Sequence, residues 1–265
     1  MILTLPLRLK IGFLFILIAS CSPDNSQEKE SFAIEVIPSA ITIPVDKQID
    51  ITIASETDMN GIIFSYDNFA TEFEYYSNYG TSKTINFYFD TVGSKTIYFK
   101  ATKEGNISSE VKTVTINVVS DQAVKLTGLQ LISFTNVNGS WDPEFPATNP
   151  NHLADVVFGL RKNTLNNPFS TGYSYKYWFS STVKTNQGDL TWDLTNENLY
   201  FDPTKTLQIG FDDQDNLPAS QPLITDSFGY RTIGLNNYMV TKPSEITFSY
   251  PEVDLEFKIQ LEWPN

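Results

Sequence analysis

Acidic side chains in the C-terminal half fall between apolar stretches, where oxygen ligands for a hard cation would have to sit. Asn136-Val137-Asn138-Gly139-Ser140-Trp141-Asp142 follows one apolar stretch, Asp155 opens the next, and Phe211-Asp212-Asp213-Gln214-Asp215-Asn216 closes a third. Ca²⁺ takes six to eight oxygens from carboxylates, backbone carbonyls and Asn side chains, and two neighbouring loops can supply them. Asp212, Asp213 and Asp215 crowd into four residues and repel one another unless solvated or metal-bound. The plainer alternative is a solvated turn, because Asp and Asn favour turns on backbone grounds alone.

Aromatic rows offer a second chemistry, stacking on the flat faces of sugars. Tyr173, Tyr175 and Tyr177 alternate and so share one face of a strand, followed by Trp178 and Phe179. They are candidate ligand-binding residues, weighed against ordinary cross-strand packing pairs. A second cluster, Phe69, Phe73, Tyr75, Tyr76 and Tyr79 with Glu72 and Glu74, reads either as an exposed platform or as a strand whose alternate members, Phe73 and Tyr75, enter a core.

Catalysis is harder to place. His152 is the single histidine and lies in an Asn-Pro-Asn loop; the chain contains no Gly-x-Ser-x-Gly elbow, the turn that exposes a hydrolase serine. Paired carboxylates for glycoside hydrolysis stay open, but in so acidic a chain their abundance carries no information. No Gly-rich phosphate loop precedes a helix. A hydrolase is therefore the weakest reading and a non-enzymatic binding protein the strongest. The formal charge of −13 repels phosphate backbones and excludes nucleic acid as a partner. One Cys and one His exclude a disulfide framework and a Cys/His zinc site.

The elements that must position these residues are strands. With 265 residues, 19 Phe, 13 Tyr and 4 Trp, the chain has length for two domains and too much aromatic surface to stay unfolded. Period-two alternation predicts strands at 33–37, 41–43, 48–54, 61–66, 84–89, 95–102 and 111–118, a pattern of seven short strands that implies an immunoglobulin-like sandwich. A seam at Ser120-Asp121-Gln122-Ala123 separates it from a second set at 124–134, 154–162, 175–179, 198–201, 207–212, 228–233, 245–249 and 253–263. In the last of these, Val253, Leu255, Phe257, Ile259, Leu261 and Trp263 share one face, as a strand sealing a sandwich core should. The expected fold is all-β, two β-sandwiches in series over 32–120 and 121–265, and the molecule is expected to be a monomer.

Residues 1–20 read as a secretory leader, with Arg8 and Lys10 ahead of an apolar run too short to span a bilayer. The only cysteine follows in Ile18-Ala19-Ser20-Cys21, which resembles a bacterial lipobox. That resemblance implies cleavage before Cys21, acylation of its sulfur and anchoring in the outer membrane, facing either the periplasm or the cell surface. Residues 21–31 are polar and form the expected tether.

Residues 93–119, a Gly, a strand, a short loop and a final strand, resemble the ends of PKD and bacterial Ig-like domains. In the second half, the Gly139-Ser140-Trp141-Asp142 turn, Asp155 and the run Leu207-Gln208-Ile209-Gly210-Phe211-Asp212-Asp213 resemble C-two-like, calcium-dependent phospholipid-binding sandwiches. They also resemble two-domain lipoproteins of Bacteroidota-like bacteria. This resemblance implies Ca²⁺ held by Asp142, Asp155, Asp212 and Asp213 or Asp215. The chain departs from it in a Pro/Asn-rich insertion at 143–153 and in having few basic residues for a lipid headgroup. The expected role is lipid-anchored binding, adhesion or scaffolding toward a glycan or an envelope protein, with a glycan-binding part of a surface uptake system as the alternative.

Overall fold

A computed structural model describes residues 31–214, 221–224 and 229–264; the leader, Cys21 and Asp215 lie outside these. The fold is all-β: strands alternate with turns throughout, and the only helical pieces among the described residues are short 3-10 turns. Contacts join residues from Ser31 onward into one compact unit. It contains two hydrophobic clusters, the first closing at Ala123 and the second opening at Val124.

The first set comprises β1 (Ile34–Pro38), β2 (Thr42–Pro44), β3 (Gln48–Ser65), β4 (Phe73–Tyr88), β5 (Gly93–Lys103), β6 (Ile107–Ser108) and β7 (Lys112–Val119). Two of these are much longer than alternation predicts. β3 runs through Ser55-Glu56-Thr57-Asp58, a polar stretch between the strands expected at 48–54 and 61–66, and joins them into one. Its first part pairs with β1 and with the end of β4; after register shifts around Met59, its last part pairs with the start of β4 and with β5. One sheet thereby folds over on itself. Ile49, Ile51, Ile53, Ile85 and Phe87 from one layer meet Ile97, Phe99, Ile116 and Val118 from the other in a single core. The second crossing is close: a Cβ on Gly61 would sit 2.3 Å from Thr102 Oγ1 and 2.7 Å from Tyr76 Cδ1, so only glycine fits without displacement.

The second set comprises β8 (Val124–Ser133), β9 (Val156–Leu165), β10 (Tyr173–Ser180), β11 (Thr191–Asp193), β12 (Leu199–Phe201), β13 (Thr206–Asp213), β14 (Gln221–Pro222), β15 (Arg231–Gly234), β16 (Glu245–Tyr250) and β17 (Leu255–Glu262). One sheet has the order β10-β9-β13-β14 with β15 on β13; the other has β11-β8-β17-β16 with β12 on β8. Phe158, Leu160, Ile209 and Phe211 of the first face Leu129, Leu131, Phe257 and Ile259 of the second. The alternation at the C-terminus holds, with Leu255, Phe257, Ile259 and Leu261 all buried. Val253 is buried too but belongs to a 3-10 turn before β17, not to the strand.

Candidate functional site

The turn between β2 and β3 determines how the two cores meet. Val45 N–H donates to Val119 O (2.9 Å) and Asp46 N–H to Phe89 O (2.9 Å), which holds Asp46 at a φ of 62°, a left-handed conformation that Asp adopts at modest cost. Asp46 and Lys47 then reach the second set of strands. Lys162 Nζ on β9 donates to Asp46 Oδ1 (3.0 Å), to Asp90 O (2.7 Å) and to Tyr200 O (2.5 Å). It also lies 3.8 Å from the centroid of the Trp178 ring. Lys47 Nζ donates to Asp202 Oδ2 (2.5 Å), while Asp202 N–H donates to Asp46 Oδ2 (3.0 Å). Two consecutive residues of one turn are thus ion-paired in opposite senses with β9 and the end of β12. Both partners of the first pair are buried, with 4% and 3% of their side chains exposed. Burial raises the Asp46 pKa above the usual carboxylate range against the pull of Lys162, and lowers that of Lys162 against the pull of Asp46.

Next to this clamp the β9–β10 loop docks on β4. Asn86 N–H of β4 donates to Pro168 O (2.9 Å), continuing the β ladder by one bond across the junction. Phe169 stacks on Tyr75 at 4.2 Å between centroids. The loop is stiffened from within: Lys176 Nζ donates to Leu165 O (2.7 Å) and Asn166 O (2.9 Å), and Phe169 N–H donates to Asn167 Oδ1 (2.9 Å).

A cavity of about 280 Å³ opens between loop and strand. Phe64, Tyr66, Phe73, Tyr75 and Phe87 make an aromatic wall, and Asn86, Asp90, Thr164, Asn166, Asn167 and Lys176 make a polar one. Phe73 stacks on Phe64 at 5.1 Å, and Tyr66 meets Phe73 edge-on at 5.8 Å. Tyr66 and Phe73 remain 48% and 39% exposed, so the cavity border is partly open to solvent at these two residues. An apolar concavity with a few convergent polar groups is the ordinary form of a small-ligand site.

Of the residues singled out from the sequence, Phe73 and Tyr75 line this cavity. Tyr76 projects the other way and donates to Glu74 Oε2 (3.0 Å), and Tyr79 packs against Phe169. The tyrosine row of β10 is divided. Tyr173 donates to Gln48 Oε1 across the junction (3.1 Å) and meets the Tyr88 ring edge-on. Tyr175 shares a 2.5 Å hydrogen bond with Thr206 Oγ1. Tyr177 is 60% exposed and lies over Gly159. The row is therefore no uniform flat platform, because two of its hydroxyls are engaged in packing the molecule together.

The acidic residues are dispersed. β13 continues through Asp212 to Asp213, one residue past the strand expected at 207–212, so these two side chains alternate to opposite faces. Asp213 is fully buried and its Oδ1 accepts the Asp155 N–H (2.6 Å); Asp155 Oδ1 accepts the Asn186 N–H (2.7 Å). Asp212 sits on the other face, and burial raises its pKa. Asp142 belongs to the turn whose N–H groups at Trp141 and Asp142 donate to His152 O. Among the described residues no three His, Cys, Asp or Glu side chains form a group that could hold a metal. His152 lies in its own turn, with Nδ1 2.5 Å from Asn149 O.

No family model and no curated protein matches this chain. Among solved structures it is similar to the human OSCAR ligand-binding domain, at 9% identity over 73% of this chain and 94% of that one, with a TM-score of 0.26. It is also similar to a β-sandwich carbohydrate-binding module described as promiscuous in specificity (9%, 90% and 94%, TM-score 0.28). A third similarity is to the fibronectin(III)-like modules of Clostridium thermocellum CbhA (13%, 72% and 92%, TM-score 0.24). Superpositions this loose do not bear on which residues bind.

Proposed function

We propose that this chain is a lipid-anchored, non-catalytic binding protein of the bacterial outer membrane, which takes a glycan in the cavity between its two sets of strands. Cys21 carries the acyl chains, and residues 21–31 tether the body. Each buried acyl methylene contributes ~0.8 kcal/mol, so two or more chains make the attachment lasting. The observation that carries the reading is the composite cavity itself: aromatic faces from β3 and β4 on one side, amide and hydroxyl groups from the β9–β10 loop on the other. Its two sides are held in register by the Asp46–Lys162 and Lys47–Asp202 pairs. Preorganisation of this kind lowers the ordering cost of binding.

The test is affinity electrophoresis of the purified protein through native gels containing a panel of plant and bacterial polysaccharides. At least one polysaccharide should retard the wild-type chain, and Phe73→Ala should run unretarded. Migration unaffected by every polysaccharide would remove the glycan reading. Anchoring is tested separately by Cys21→Ser, which should move the protein from the membrane fraction to the soluble one.

A further inference from the structure

We infer that Lys162 and Asp46 condense into a covalent amide inside the folded chain, the lysine nitrogen attacking the aspartate carboxyl carbon and one water leaving. This modification does not depend on what the junction cavity binds. Lys162 Nζ lies 3.0 Å from Asp46 Oδ1, and both side chains are buried, so the two groups meet with almost no water around them. The Trp178 ring covers the nitrogen at 3.8 Å. Asp202 N–H donates to Asp46 Oδ2 (3.0 Å), the oxygen that does not face Lys162. That donor is placed to hold the negative charge that gathers on Oδ2 as the carbon turns tetrahedral. The neighbouring pair differs: the Lys47 side chain is 48% exposed, so its ammonium stays hydrated and the pair stays ionic.

Burial favours the uncharged forms, raising the Asp46 pKa and lowering that of Lys162. A proton can therefore pass from ammonium to carboxylate along the hydrogen bond that joins them. The free amine then adds to Cγ, and Oδ1 departs as water. Tyr88 Oη lines the same small space as Asp46 and Lys162, buried and without a hydrogen-bond partner among the described residues. Burial and the Asp46 carboxylate beside it keep this hydroxyl protonated. It gives its proton to the departing Oδ1 and takes one back from the added nitrogen. An ammonium and a carboxylate go in, an amide and one water come out, and no other reactant is needed. The space there, about 10 Å³, is the size of one water. In water the ion pair outlasts the amide because both charges are hydrated. Buried, the pair has lost that hydration, and the fold has already brought its members together. The amide nitrogen keeps one hydrogen for the Asp90 or Tyr200 carbonyl, where the ammonium serves both; one buried hydrogen bond is given up and two buried charges disappear.

The experiment is tryptic digestion of the purified, denatured full chain, read by tandem mass spectrometry. Trypsin cuts after Lys and Arg, so an unlinked chain yields separate peptides 30–47 and 163–176. The linked chain should instead yield a branched peptide joining 30–47 to 162–176, one water lighter than the two together. Lys162→Met should give no branch. Tyr88→Phe, which keeps the ring, should be mostly unlinked, since losing a positioned proton carrier slows such a step by ~10²-fold or more. Wild-type chain that yields only the separate peptides would overturn the inference and leave a plain ion pair. Tyr88→Phe linked as fully as wild type would overturn the part given to the tyrosine.

Discussion

Replacing Lys162 by methionine keeps most of the side-chain volume on β9 and removes the ammonium that joins the two cores. Three acceptors then lose their donor: Asp46 Oδ1, Asp90 O and Tyr200 O. Removing one partner of a buried ion pair destabilises by ~3–5 kcal/mol, because the remaining charge stays desolvated. For a body of this size that corresponds to a melting-temperature loss of roughly 6–20 °C. The double variant Lys162→Met/Asp46→Asn removes the stranded charge, and Asn tolerates the left-handed backbone at this position. It should be less destabilised than the two single changes added together, by at least about 1 kcal/mol. All four tryptophans belong to the second hydrophobic cluster or pack against it, Trp192 within it and Trp141, Trp178 and Trp263 on its border. Their fluorescence therefore reports that half of the body, with Trp178 beside Lys162, while far-UV circular dichroism reports both. In wild type the two signals should follow one guanidinium transition; in Lys162→Met they should separate. A loss below about 1 kcal/mol, with coincident transitions, would refute the view that this pair couples the cores.

Two further outcomes follow from the same geometry. Although burial raises it, Asp202 is held below the usual carboxylate range by hydrogen bonds from Lys47 and Thr204. A depressed folded-state pKa adds stability above the unfolded value of ~3.8, lost as pH falls through the folded value. The melting-temperature gap between wild type and Asp202→Asn should therefore be constant from pH 7 to 5 and shrink below 3.8; a gap unchanged down to pH 2 would be wrong for this account. Asp213→Ala removes the carboxylate that caps the Asp155 N–H and should cost ~1.5–3 kcal/mol, equally in EDTA and in millimolar Ca²⁺. A loss seen only with Ca²⁺ would favour the metal reading of the acidic turns.

Strands with one wet face were legible in the sequence, because alternation records burial directly: 95–101, 112–118 and 255–261 all appear where the pattern puts them. Alternation fails where a strand changes layers. Residues 55–58 of β3 are polar and mostly exposed, and they separate the strands expected at 48–54 and 61–66 although a single strand runs through them. β11 is three residues long and too short to show a period, though Trp192 within it is a core residue. The aromatic half of the cavity was partly visible in Phe73 and Tyr75. Asp90, Asn86 and Thr164 were not, since each is an ordinary polar residue near the end of a strand. They converge only when Asp46 and Lys47 fix one core against the other, and no local spacing encodes a contact across 116 residues.

A crystal structure of the full chain with an oligosaccharide cut from the retarding polysaccharide tests the central claim most directly. Ligand density should lie between Tyr66 and Phe73 on one side and Asn166 and Asn167 on the other. Density over Tyr177 on the outer face of β10, or beside Asp142 and Asp155, would contradict it.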